Sequence, residues 1–103
     1  MDGQARFEPP VIDRLSVRVV VDSHYERFMP KAEHGAVKID HVGVIPDGHM
    51  HTYACEWGLS LHIATETQAA RARYLLDFGF TPEVLVRNFN LMRLDPAALD
   101  GLI

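Results

Sequence analysis

Residues 58–91 read GLSLHIATETQAARARYLLDFGFTPEVLVRNFNL, and this stretch decides the fold. From Gly58 to Thr65 the residues alternate, Leu59, Leu61 and Ile63 to one side, Ser60, His62 and Ala64 to the other, which is the period of a strand. A polar turn, Thr67-Gln68-Ala69-Ala70, leads to a second apolar run, Arg71 to Phe78, centred on Tyr74-Leu75-Leu76. Two strand-like runs joined by so short a connection predict an antiparallel hairpin. Gly79-Phe80 then breaks the run. Thr81 suits a helix N-cap, Pro82 its first turn, and Glu83 the positive end of its dipole. Val84, Leu85, Phe89, Leu91 and Met92 give that helix a broad apolar face through Arg93.

Outward from this core, Asp95-Pro96-Ala97-Ala98-Leu99 predicts a short helical turn, and Asp100-Gly101-Leu102-Ile103 the opening of another strand. Upstream, Leu15 to Val21 is rich in β-branched residues, with Val17, Val19 and Val21 alternating against Ser16, Arg18 and Val20, and predicts a strand closed by Asp22-Ser23. Residues 23–35 read as a long loop with one helical turn before Pro30. Ala36 to Val44 reads as a short edge strand or an irregular extended piece, Ile45-Pro46-Asp47-Gly48 as a turn, and His51 to Ala54 as a further short strand. Residues 1–12 form a flexible lead stiffened at Pro9-Pro10, and residues 13–103 form one domain.

Composition narrows the function classes. Of 103 residues 48% are apolar and 23% charged, within the ordinary range of a folded domain. The net charge of −4, with Lys and Arg scattered, gives no electrostatic footprint for nucleic acid and no polybasic membrane anchor. The apolar runs are far shorter than the roughly 20 residues needed to span a bilayer. The polar start, MDGQARFEPP, is unlike a signal peptide, and the expected location is cytoplasmic. The single cysteine, Cys55, excludes an internal disulfide, and without a basic neighbour it reads as a small buried side chain.

Candidate chemistry is sparse. His24, Tyr25 and Glu26 follow the first strand, with His34 within ten residues, so an acid–base or substrate-contacting loop is one reading and a solvated loop the stronger one. His49-Met50-His51 reads as two exposed histidines after a turn; Tyr53 stands where a His-x-His-x-Asp-His metal motif needs aspartate. His62 reads as exposed or packed against another layer, and Trp57 as a core or interface anchor. There is no Gly-x-Ser-x-Gly elbow and no glycine-rich phosphate loop.

The ordered set of Val17 to Asp22, then Glu56-x-Gly58-Leu59-Ser60-Leu61-x-Ile63, then Asp77-Phe78-Gly79, a helix, and Asp100-Gly101-Leu102-Ile103 resembles the N-terminal portion of metallo-β-lactamase-fold hydrolases, in the subgroup similar to dihydropterin/ribofuranosylaminobenzene-phosphate synthases. The motif Asp-Thr-Gly of that family has Phe78 in place of threonine here. The resemblance spans roughly residues 15–103 and implies an α/β fold: one αβ half of an αββα sandwich, with a mixed or antiparallel sheet of four or five strands and one main helix. It implies a supporting role for Asp77 and Gly79 beneath a metal site, and places His24, Tyr25 and Glu26 near the mouth of an active site. The family's His-x-His-x-Asp-His ligands would follow Ile103 and are not in this sequence. Zinc or another divalent metal is therefore expected only in an intact relative, with no metal or catalytic residue in this chain, which is expected to be inactive alone. Such a half is expected to self-associate or to pair with a missing C-terminal half. A non-enzymatic αβ domain that pairs through its sheet is the alternative, and an enzyme built on His24, Glu26 and His34 ranks last.

Overall fold

The computed structural model describes residues 5–6, 8–24, 32–39, 42–44 and 49–103. Tyr25 and Glu26, the helical turn before Pro30 and the Ile45–Gly48 turn lie outside the described residues. The principal sheet has four strands in the order β1-β6-β7-β8: Arg14–Val21, Ser60–Glu66, Arg71–Asp77 and Gly101–Leu102. β1 pairs antiparallel with β6, β6 antiparallel with β7, and β7 parallel with β8. The sheet is thus mixed, and one α-helix, α1 (Pro82–Leu91), packs on one face of it.

The β6–β7 hairpin forms as its sequence predicts. Its turn is held by Thr67, whose Oγ1 accepts the amides of Ala69 and Ala70 and whose own N–H donates to the Ala70 carbonyl. The loop expected over residues 23–35 contains a strand, β2 (Ala32–His34), paired with β3 (Val37–Ile39). The piece expected over Ala36–Val44 is divided between that ribbon and a second one, β4 (Val42–Val44) with β5 (Met50–Thr52). These strands carry only three residues each, too few for alternation to declare them.

Register decides which face is buried. Val17 faces Ile63 and Tyr74; Val19 faces Leu61 and Leu76. With the alternation of strands, one face carries Leu15, Val17, Val19, Leu59, Leu61, Ile63, Thr65, Ala72, Tyr74 and Leu76, and no charged side chain. The other carries Arg14, Arg18, His62, Glu66, Arg71, Arg73 and Asp77. α1 lies on this second, charge-bearing face, against Val20, Val21 and Leu75. The more apolar face is the open one: Leu15, Val17 and Val19 stay 58, 54 and 50% exposed. A β-bulge at the end of β1 corrects the expected alternation. Register shifts between Val19 and Val21, so Val20 and Val21 both stand against the helix, 3 and 1% exposed.

α1 is docked by polar as well as apolar contacts. Phe89 enters the core, flanked by Val84, Leu85 and Met92. Asn88, 1% exposed, donates through Nδ2 to the carbonyls of Val20 (2.7 Å) and Ala54 (2.8 Å) and accepts the Ala54 N–H at 2.9 Å. Arg87 donates to the Thr52 carbonyl. The helix ends in the six-to-one and five-to-two bonds of a Schellman motif, Leu94 N–H to Phe89 and Arg93 N–H to Asn90. Arg93 takes the left-handed position at φ 57°. Arg18, reaching from β1, donates to the Met92 carbonyl and places a cation at the negative end of the helix.

His62 resolves as the packed alternative, 8% exposed with its ring edge-on to Phe89 at 6.3 Å. Burial, and then the charges of Arg18 and Arg73, hold its pKa below the usual histidine value of 6.5. The folded state therefore binds this proton less readily than the unfolded chain. Stability is full above pH 6.5 and is lost as pH falls from there toward the folded value. Urea unfolding at pH 7.5 and 5.5 is expected to show a larger acid loss in the native chain than in His62→Gln; equal losses would remove His62 as the cause.

Candidate functional site

Glu56, Ser60, Asp77 and Gly79 gather at one end of the sheet, where β1 and β7 end and β6 begins. β6 enters through Gly58, which has φ +129° and lies against the turn after β7: a Cβ there would stand 2.5 Å from the Phe78 carbonyl oxygen. Phe78 N–H closes the same contact on Leu59 O at 2.8 Å. Only a residue without a side chain lets the two segments lie this close.

Asp77 occupies the centre of the turn. Its Oδ1 accepts the Ser60 hydroxyl at 2.5 Å and the Gly79 amide at 2.8 Å. The second bond is an Asx turn, which bends the chain out of β7 toward α1. Gly79 is the partner because a Cβ there would come within 2.9 Å of that same oxygen. Ser60 is completely buried and gives its proton to Asp77, so it presents no nucleophile.

Glu56 completes the knot from before β6. Its Oε1 accepts the amides of Phe80 (2.9 Å) and Thr81 (2.7 Å). Thr81 does stand at the N-cap of α1, but its side chain makes no capping bond to the helix; Glu56, 25 residues earlier, binds the amide of Thr81 itself and so fixes the chain where it enters the helix. The Thr81 hydroxyl and then the Thr81 amide hold Glu56 below the usual carboxylate range; burial opposes them by less than either, and the Phe80 amide adds a still smaller lowering. A carboxylate whose folded pKa is depressed stabilises the fold above its unfolded value, near 4.5, and the stabilisation is lost as pH falls through the folded value. Glu56→Gln is expected to melt below the native chain at pH 7. That gap should shrink below about pH 4.5 and close once Glu56 is protonated in the folded state. A gap unchanged down to about pH 2 would show that charge on Glu56 plays no part.

Between these groups lies a pocket of about 130 Å³, lined by Val21, Glu56, Ser60, Asp77, Thr81 and Leu85 among others. Ligand sites usually measure 300–1,000 Å³, so this one takes a few waters rather than a metabolite. It does not fit a zinc ion either. No imidazole lines it, Asp77 Oδ1 and Glu56 Oε1 are engaged by hydrogen bonds, and among the described residues no group of three or more His, Cys, Asp or Glu could hold a metal.

The other candidates lie apart from this knot or at its rim. His24 is exposed just past β1, and His49 is exposed ahead of β5, where His51 is half-buried. Cys55 is exposed, contrary to the buried position expected, because the segment that Asn88 anchors at Ala54 runs along the surface there. Trp57 is 77% exposed, as are Phe78 (63%) and Phe80 (81%), so Trp57 is no core anchor. Sequence reasoning missed Asn88. The available signal was its position four residues after Val84, inside the apolar stripe of α1, where a polar residue must find partners.

Comparison with family models, curated proteins and solved structures returned no match. No described helix is long and apolar enough to cross a membrane.

Proposed function

We propose that this chain is the scaffold portion of a metal-dependent hydrolase of the metallo-β-lactamase superfamily, with no metal site of its own and no activity alone. The observation that supports this reading is the joining of Glu56, Ser60, Asp77 and Gly79 in one hydrogen-bonded knot at the sheet end. These are the residues on which the resemblance rests, and β8, parallel to β7, runs toward the same end. In this reading Asp77 fixes the backbone on which a ligand-bearing loop after β8 rests, a supporting role rather than a ligating one. The reaction class is hydrolysis of an ester, phosphoester or related bond.

Two measurements test it. The codons after Ile103 are expected to encode a Ser-His-x-His-x-Asp-His motif; a stop followed by unrelated sequence would overturn the proposal. Zinc titration of this chain is expected to give no tight stoichiometric site, and a tight one would refute the claim that the scaffold holds no metal.

The exposed, charge-free face of the sheet favours a second reading. In it the chain is a non-enzymatic αβ domain that pairs with itself or another chain through that face.

A further inference from the structure

We propose that His62 is an acid-sensitive clasp for the C-terminal end of α1. Neutral, it holds Phe89 and the turn after it against the sheet; protonated, it lets that end lift while the start of the helix stays docked.

The imidazole stands on the helix side of β6, 8% exposed and edge-on to Phe89. Among the described residues no hydrogen-bond partner reaches either ring nitrogen. The charges that act on it share the sign it would acquire. Arg18 is its register partner on β1, and Arg73 lies diagonal to it on β7, two residues from its partner Leu75. The carboxylates of this face are committed elsewhere. Asp77 Oδ1 is bound by Ser60 and Gly79, Glu66 pairs with Arg71 at 3.4 Å, and Asp100 Oδ2 accepts the Arg73 amide. On α1, Glu83 lies in the first turn and Arg87 donates to the Thr52 carbonyl. The negative end of the helix is already taken by Arg18 at the Met92 carbonyl. A proton on His62 therefore makes a third cation in a buried position with no anion to receive it.

The two ends of α1 are held differently. Its entry is tied by Glu56 at Thr81, and its middle by Asn88 to Val20 and Ala54. Past Asn88 the chain is held by the packing of Phe89 and Met92 and by the Arg18 bond, 3.2 Å and exposed. Arg18 is also the side chain that a charged His62 repels. In the lifted state His62 meets water and binds its proton with an ordinary pKa near 6.5. Any opening that exposes the ring is thus favoured up to about tenfold more at pH 5.5 than at pH 7.5.

Amide hydrogen exchange of the full 103-residue chain at those two pH values, read residue by residue by NMR and normalised for the intrinsic rate, tests this. The amides of Met92, Arg93 and Leu94, which close on Asn88, Asn90 and Phe89, are expected to lose about tenfold in protection at pH 5.5. Low urea should leave their exchange unchanged, because the opening is local, while it speeds exchange in the β6–β7 hairpin, which opens globally. In His62→Gln the pH response should vanish. Independent of how well that variant folds, the ring protons of His62 in the native chain should titrate below pH 6.5. Helix-end amides that share the urea slope of the hairpin overturn the local lift. No loss of protection at pH 5.5, a loss that persists in His62→Gln, or a ring that titrates at or above pH 6.5 overturns His62 as the clasp.

Discussion

Asn88→Ala is expected to be the most damaging single substitution in the chain, costing on the order of 3–5 kcal/mol. The side chain is 1% exposed and spends its amide on three backbone groups: the Val20 carbonyl in the bulge of β1 and both polar groups of Ala54. Truncation removes the partner of all three, the Val20 carbonyl in the buried core and the two Ala54 groups in a half-buried segment, and each orphaned group costs about 1–3 kcal/mol where water does not replace the lost bond. A domain of this size is stable by only about 5–15 kcal/mol, so a fall in Tm of roughly 15–30 °C is expected. Asn88→Leu separates the explanations. It refills the volume but restores no hydrogen bond, so it should be nearly as unstable as the alanine variant. A leucine variant as stable as the native chain would mean that Asn88 acts only by filling space.

Gly58→Ala is expected to rank second, for a steric reason. At φ +129° an alanine is strained whatever surrounds it, and here its Cβ would lie 2.5 Å from the Phe78 carbonyl and 3.0 Å from Gly79 Cα. Both obstacles are backbone, so relief requires the entry to β6 and the turn after β7 to move apart, breaking the Phe78–Leu59 hydrogen bond. Strain and separation together should cost about 3 kcal/mol or more. In urea this lowers the midpoint by about 1–2 M with little change in slope. A shift below about 0.3 M would show that the turn gives way freely.

These two residues also mark the boundary of what the sequence discloses. Gly58 is legible only as the start of an alternating run; the need for a glycine there comes from the Phe78 carbonyl, which pairing of β6 and β7 brings against it. The β6–β7 hairpin, α1 and the short turn at Pro96 are legible because periodicity and turn residues act within a few positions of each other. Asn88 is not, because its partners lie 34 and 68 residues away. The same holds for the entry to α1: Thr81 satisfies the local rule, yet its side chain makes no capping bond, and its own amide is bound by Glu56 from 25 residues earlier. The bulge at Val20 moved Val21 across the sheet, which no alternation pattern records. In the candidate site, the types of Asp77 and Gly79 were readable, but their bond to Ser60 depends on a register fixed only when β6 and β7 pair.

The pairing of β1 with β6 carries a consequence for how the chain is made. β6 and β7 are neighbours in sequence, and such a hairpin closes in about 1–10 µs once both strands are available. β1 must wait for a partner that begins about 40 residues later, and at about 5–20 residues per second that delay is roughly 2–8 s. For that interval Leu15–Val21, a valine-rich run without proline, emerges from the ribosome with no β6 to pair with. The interval when this protein is most exposed to aggregation thus falls during its own synthesis, and the element at risk is β1, the earlier-translated member of the β1–β6 pair.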